Sequence, residues 1–415
     1  MSKGDSLTDR SADLLILGGG LVGTTLAIAA ARKGFTSHVV DRADPAELTA
    51  EGFDGRASAI STASWNLFEN IGIAPALESF ASPISSIAVS DQMKPGRLDF
   101  QPAPEDGTLG RMFANRRLRL ALFEAAEAEP LITMHSKAEI ASRTRDDYST
   151  SVTLTDGTQL SAPLMVAAEG RGSPTRDDAG IKLAKWDYSH RAIIAGLTHE
   201  KPHDHVAWEI FYPAGPFALL PMQDDPDGTP NHRHRSSLVW TVDEKDAAGT
   251  LKLSDRAFLA EVTKRMGDMF GDITSVGARS SYPLGFHHTA KITDTRLALI
   301  GDAAHGIHPI AGQGLNLGLR DVGALVEVIE EGRRIGLDPG DAQLLKRYEN
   351  WRGLDSFMVA LATDGLTRLF GVGGNTASAI RRIGMAGVQR APVLKDFFMD
   401  EARGVSGDLP ELLKA

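Results

Sequence analysis

At 415 residues the chain is longer than one ordinary compact core and long enough for two closely joined domains of an enzyme. Its 42% apolar and 24% charged content is that of a soluble globular protein, and a formal net charge of -10 without a dense Lys/Arg stripe argues against nucleic acid as a partner. It has no cysteine, which removes disulfides, zinc-thiolate sites and cysteine nucleophiles together and points to a reducing cytoplasm.

The opening residues, MSKGDSLTDR, lack the apolar core of a secretory signal. No stretch approaches the roughly 18 uninterrupted apolar residues of a spanning helix, so only attachment to a membrane surface stays open. Leu14–Leu17 reads as a strand, the run Gly18-Gly19-Gly20-Leu21-Val22-Gly23 as a tight turn, and the alanine-rich stretch to Arg32 as a helix ended by Gly34. A second strand, Ser37–Val40, ends in Asp41, about twenty residues after the glycines, which fits a βαβ dinucleotide fold. Residues 83–101 and 186–290 carry short β-rich runs such as AIIAGL, VAWEIFY, FALLPM and SLVWTV, which predict one antiparallel sheet assembled from two separated pieces of chain. Between them SVTLTDGTQL holds an Asp156-Gly157 hairpin signal, the apolar run 164–168 returns to the first domain, and the polar stretch 223–235 joins two sheet strands. Another buried strand is expected at 297–300, followed by Gly301-Asp302 and a helix from near Gly314 with Leu319, Val322, Val326 and Ile329 on one face. From about residue 340 the pattern is helical, with apolar clusters at Leu366, Leu369 and Phe370 and at Val393, Leu394, Phe397 and Phe398 among basic residues. Helix packing is the simpler use for these clusters, and contact with a membrane surface or a partner is the other.

The glycines have separate physical tasks. Gly18 allows the turn, Gly20 lets backbone approach a pyrophosphate, and Gly23 permits close packing of helix on strand. The helix start at Leu21 and Val22 offers N–H donors to phosphates, and Asp41 would accept hydrogen bonds from the adenosine ribose, with Arg42 counted at the same end. This turn does not separate FAD from NAD. FAD is long enough to need a second site elsewhere, and Asp302 after a buried strand suits the ribityl hydroxyls, its plainer alternative being a helix cap. Gly312, Gly314 and Gly318 would let backbone pass close to a flat ring. The helix start at Gly314-Leu315-Asn316 would aim its positive end at the flavin N1–C2=O edge and favour the anionic reduced flavin.

The run HPIAGQGLNLGLRD, residues 308–321, resembles the signature of the ubiquinone-biosynthesis aromatic-ring hydroxylases, a branch of the FAD monooxygenases related to para-hydroxybenzoate hydroxylase. DGRASAIS (54–61), NRRLRLAL (115–122), EGRGSPTR (169–176), WDYSHRAIIA (186–195), AWEIFYPAGPFALLP (207–221), GDAAH (301–305) and RYENWR (347–352) follow in the order of that family, so the resemblance runs nearly end to end. It implies that Arg56 lies near the flavin and pyrophosphate, that Gly301 and Asp302 hold the ribityl chain, and that Gly314, Leu315 and Asn316 line the isoalloxazine. Glu169 stands where the family commonly has aspartate, in a motif linked to FAD and the nicotinamide donor, and Asn115 where related enzymes often have arginine.

The fold so implied is α/β: a discontinuous Rossmann-like FAD-binding domain (10–82, 102–185 and 291–338), an inserted antiparallel β-sheet substrate domain (83–101 and 186–290) and a helical C-terminal region (339–415). Members of the family reduce FAD with NAD(P)H or another electron donor, bind O2, form a flavin C4a-hydroperoxide and transfer OH to the ring of a polyprenylated phenol. The flavin carries that chemistry, so no side chain is assigned a catalytic role. Trp208 and Phe211, on a strand facing the cleft, and His308 and Pro309 are the substrate-cleft candidates. His287, His288, His305 and His308 lack the carboxylate-histidine spacing of a metal site, so none is expected. The alternatives are a flavin reductase or halogenase on the same scaffold, although Trp-x-Trp-x-Ile-Pro is absent, and a catalytically silent FAD-binding subunit. The expected location is the cytoplasm, with peripheral contact to a membrane or to other ubiquinone-biosynthesis proteins as the option that a prenylated substrate would make useful.

Overall fold

Short apolar runs buried on both faces build the first sheet of the computed structural model, which describes residues 10–50, 55–228, 233–275, 277–306, 313–353 and 384–415. Its six strands lie in the order Thr293–Asp294, Leu297–Leu299, Leu164–Ala167, Leu14–Leu17, Ser37–Val40 and Ile132–His135. Neighbours are parallel except for the first two, which pair antiparallel. Parallel strands covered by helices on both sides need continuous rather than alternating apolar sequence, which is what LLIL and LMVA supply. Helices Leu21–Arg32, Asn115–Glu127 and Gln313–Arg334 pack into the same core. On the last of these Leu319, Val322, Val326 and Ile329 are all fully buried.

Register decides where function sits. Ala167 lies opposite both Leu17 and Leu299, so three chain segments leave the sheet side by side at the strands' carboxyl ends. These are the Gly18 turn, residues 168–171 and Gly301-Asp302, at the edge where open α/β sheets bind ligands.

The second sheet has nine strands, running from His305–Gly306 through Ser280–Thr289, Leu183–His199, His234–Asp243, Gly215–Met222, Val206–Tyr212 and Ser86–Asp91 to Leu98–Phe100, with Ile273–Ser275 added beside Leu183–His199. One of its junctions departs from the antiparallel expectation: Val206–Tyr212 runs parallel to Ser86–Asp91. No hairpin joins those strands, which come from the two separated pieces of chain, so no turn forces them to oppose. The sheet also shifts from the sequence limits. Ser82–Ile84 pairs instead with Gly110–Ala114 in a small sheet shared with Ala57–Ser61, while Leu183–His199 begins before residue 186 and His305–Gly306 extends the sheet past residue 290. One face packs Ile193, Ile210, Phe217, Leu219 and Trp240 against the core that includes Phe258 and Val262 of helix Asp255–Met266. Because strand side chains alternate, the other face is left for an internal cavity.

In the C-terminal region residues 342–353 and Pro392–Arg403 are helical, while Leu366, Leu369 and Phe370 lie outside the described residues. The tail returns to the first domain, where Asn66 donates to the Leu413 carbonyl at 3.1 Å and Leu413 is buried. Among the described residues no helix is long and apolar enough to cross a membrane.

Candidate cofactor and substrate site

Gly18 adopts φ +107°, and a Cβ there would stand 2.4 Å from the Ala168 carbonyl oxygen. The turn therefore closes directly onto the neighbouring strand end, a conformation open to glycine and few others. Gly23 faces inward: its added Cβ would lie 1.9 Å from the Gly18 oxygen. Gly20 is different, since a Cβ there meets no protein atom within 4 Å. It is the N-cap of helix Leu21–Arg32, has extended backbone and places no side chain on the helix end. The first N–H groups of that helix thus lack both intrahelical and capping partners. Gly20, Leu21 and Val22 line a cavity of about 1130 Å³.

Asp41 binds the turn from below, its carboxylate accepting from the Gly19 N–H at 2.6 Å and from the Ala43 N–H at 2.7 Å. Arg42 is exposed and does not line the cavity. Arg56 is exposed as well, and Ala57, Ser58 and Ala59 beyond it form the wall at this point.

Asp302 and Ile300 join that wall, as do Gly314 and Leu315 from the start of the long helix. Gly318, one turn on, lets this helix seat closely: its Cβ would be 2.8 Å from Val22 and 3.2 Å from the Gly301 Cα. Asn316 has a structural contact that the sequence expectation did not include. Its side chain is buried and spent on strand Ala57–Ser61, donating to the Ala59 carbonyl and accepting from the Ser61 N–H, both at 3.0 Å. That leaves only its backbone for a ring edge. Gly312, His308 and Pro309 lie outside the described residues.

Three residues that the sequence reading passed over complete this end. Arg171 borders the cavity and pairs with Asp302 at 3.4 Å, and Arg119 lines it from helix Asn115–Glu127. Asp321 is fully buried and holds the Gly301 N–H at 2.9 Å, His305 Nε2 at 2.7 Å and Arg352 Nε at 2.8 Å. Glu169 faces its own loop, accepting from Ser173 Oγ at 2.6 Å and the Thr175 N–H at 3.2 Å and pairing with Arg143 at 3.3 Å.

The far end of the cavity is the inner face of the large sheet. Phe211 points into it and packs with Leu98 and Met385. Trp208 borders the cavity too, but its ring shares the outer face with Ile210 and lies under Arg97, 5.4 Å away. Three positions along a strand is an odd number, so the two aromatics cannot present side chains to one side. Val388, Phe398 and Ala402 of the C-terminal region close the same space.

The profile of the family described as "FAD binding domain" matches residues 11–354. The chain belongs to that family. FAD fits the geometry above: an uncapped helix start beside a glycine whose side-chain space is empty, with Asp302 beyond the end of the next strand but one, where a ribityl chain would pass. Among relatives, the ubiquinone hydroxylase UbiL of Rhodospirillum rubrum is 42% identical over 95% of this chain and 90% of its own length. The 3-demethoxyubiquinol 3-hydroxylase of Escherichia coli is 31% identical, covering 96% of this chain and all of its own (100%). The crystal structure of p-nitrophenol 4-monooxygenase from Pseudomonas putida superposes with a TM-score of 0.76 at 15% identity, over 95% of this chain and 98% of that one, which is a likeness of fold.

The FAD-side turn also has a pH dependence. His287 is buried, donates through Nε2 to the Asp302 carbonyl at 2.8 Å, and fills the space where a Cβ on Gly306 would stand. Burial, with Arg171 acting in the same direction, pushes its pKa from 6.5 down to about 4. Below about 6.5 the unfolded chain takes up a proton that the folded chain refuses, so stability is complete above that value and is lost as pH falls toward about 4. The expected slope is about 1.4 kcal/mol per pH unit for this proton. Thermal unfolding between pH 7 and 5 should therefore depend less on pH in His287→Gln than in the wild type. An identical slope in the two would remove His287 from the account.

Proposed function

We propose that this chain is a FAD-dependent monooxygenase that hydroxylates the ring of a polyprenylated phenol in ubiquinone biosynthesis. The observation that carries the reading is the continuity of the cavity, from the dinucleotide turn and Gly301-Asp302 to the apolar wall of Val89, Phe211, Ala218 and Val239. A polar cofactor end and an apolar substrate end meet in one continuous cavity. Bound there and reduced by NAD(P)H or another donor, FAD would activate O2, one atom of which goes to the ring and the other to water. The chain's own part is to hold and exclude. The free N–H groups at Leu21 and Val22 take the pyrophosphate, Asp302 the ribityl hydroxyls, and the backbone at Gly314 and Leu315 the ring edge. The large sheet and the C-terminal helix keep water from the substrate ring.

In single-turnover experiments, enzyme reduced anaerobically and mixed with 18O2 and 2-farnesylphenol should yield a ring product carrying one labelled oxygen. Reoxidation that gives only hydrogen peroxide with this phenol and its methoxy derivatives would sink the hydroxylase reading in favour of a reductase or a silent subunit.

We further propose that the helix Pro392–Arg403 touches a membrane surface, which suits a substrate with a long apolar tail. Val393 and Phe397 are one turn apart and strongly exposed, at 84% and 57%, beside Arg390 and Lys395. A Val393→Ser, Phe397→Ser double variant should lose most of its co-sedimentation with anionic vesicles while turning over a short-tailed phenol normally. Undiminished sedimentation would reject the contact.

A further inference from the structure

One acid stands in the apolar wall of the cavity. Strand alternation puts Ala207, Glu209 and Phe211 on the inner face. Register places Val89 beside Glu209 on one side and Ala218 on the other, with Val239 and Ile194 beyond, and all four line the cavity. The positions directly beside it on both neighbouring strands, and the two same-face positions along its own strand, are therefore apolar. Among the described residues the carboxyl group has no hydrogen-bond or ion-pair partner, and burial alone acts on its ionisation. Arg119, Arg171, Asp302 and Tyr282 also line the cavity, Asp91 lies further along the adjoining strand, and Arg97 covers Trp208 on the opposite face.

An unpartnered carboxyl in such a wall works against folding, and a ligand that brings a hydrogen-bonding group offsets that cost. The residue is half-buried, and with apolar side chains on every side of it that face is turned to the cavity. We propose that Glu209 binds the ring hydroxyl of the substrate and takes its proton. This rests on the prenylated-phenol reading. The phenolic O–H bond breaks, an O–H bond forms on the carboxylate, and the electron pair stays on the phenolic oxygen, where it enriches the ring carbons ortho and para to it. The ring carbon that takes the OH group then loses its own hydrogen as a proton to solvent, the proton on Glu209 returns to the phenolic oxygen, and Glu209 is a carboxylate again. Burial pushes the Glu209 pKa up to about 8, close enough to a phenol's value of about 10 for the proton to move either way.

The test uses full-length, FAD-loaded, oxidised enzyme with 2-farnesylphenol and no donor, following the ultraviolet difference band of bound phenolate against pH, and then turnover with donor and O2. In the wild type kcat should rise with pH with a midpoint near 8, where Glu209 loses its own proton and can take the phenol's, and the phenolate band, small because the phenol's value lies above that of Glu209, should grow through the same range. Glu209→Gln should bind the phenol within a few-fold, return the midpoint toward about 10 and lose roughly 100-fold in kcat, while Glu209→Asp should restore part of both. A Gln variant with wild-type midpoint and kcat profile, in enzyme that hydroxylates the phenol, overturns the role of Glu209 alone. A wild type that neither binds nor hydroxylates the phenol overturns the function reading and this assignment together.

Discussion

Gly20→Val should yield folded protein without FAD, whereas Gly23→Val should lose both FAD and much of its stability. The two glycines sit three residues apart in one motif, yet they face different things. At Gly20 the added side chain enters space that no protein atom occupies within 4 Å, at the uncapped start of helix Leu21–Arg32. Valine accepts the extended backbone of that N-cap, so the fold loses at most about 1 kcal/mol. Its methyl groups would occupy the place of the pyrophosphate, and a loss of at least tenfold in affinity, about 1.4 kcal/mol, is a conservative expectation. At Gly23 the Cβ would fall 1.9 Å from the Gly18 oxygen and 3.1 Å from the Ala168 side chain. Gly18 cannot retreat, because its own hydrogen side is against the Ala168 carbonyl. The helix must lift off the sheet, at a cost at or above the roughly 1–3 kcal/mol of ordinary overpacking. Flavin absorbance per chain and thermal unfolding of the apoproteins separate the cases. Stoichiometric yellow Gly20→Val, or apoproteins that unfold alike, would remove the division of labour.

That contrast bears on how far sequence alone reaches. The parallel strands were legible because burial on both faces leaves continuous apolar runs, and the two glycine-bearing segments because close approach of backbone admits almost nothing else. The third segment, residues 168–171, was marked only through the family motif EGRGSPTR, and nothing in its own pattern placed it between the other two. It enters the site because strand Leu164–Ala167 inserts between Leu14–Leu17 and Leu297–Leu299, and strand order is a property of the whole sheet. The side-chain contacts of Asn316 were hidden for a similar reason: its partners, Ala59 and Ser61, lie more than 250 residues earlier. The outward turn of Trp208, by contrast, follows from strand alternation and its distance of three from Phe211. Glu209, beside it in the same strand, falls on the inner face by the same rule. A lone acid in an apolar strand was a visible signal of a site, though not of what it binds.

Asp321 closes the signature run, and its replacement by alanine should destabilise the protein more than the loss of any single FAD contact. The carboxylate is fully buried and ties Gly301, His305 and Arg352 together, while Arg352 is 1% exposed. Burial pushes the Asp321 pKa up, but His305 and Arg352 outweigh it and hold the group below its ordinary value. The stability it contributes is therefore present above pH 3.8 and is lost only as pH falls through the lower folded value, so neutral conditions test it in full. Removing it takes from the buried Arg352 guanidinium the carboxylate that it pairs with and leaves the Gly301 N–H without that acceptor. Breaking a buried pair from one side costs about 3–5 kcal/mol, a large part of the roughly 5–15 kcal/mol that holds a domain folded. Because Gly301 precedes Asp302, the flavin should be lost before the fold is. Arg352→Met alone should be milder, since His305 and Gly301 still satisfy the carboxylate. Asp321→Leu with Arg352→Met should be less unstable than the sum of its parts, the excess measuring the pair itself. Additivity within about 0.5 kcal/mol, or an Asp321→Ala protein that unfolds like the wild type, would mean that this buried cluster does not hold the Gly301-Asp302 turn.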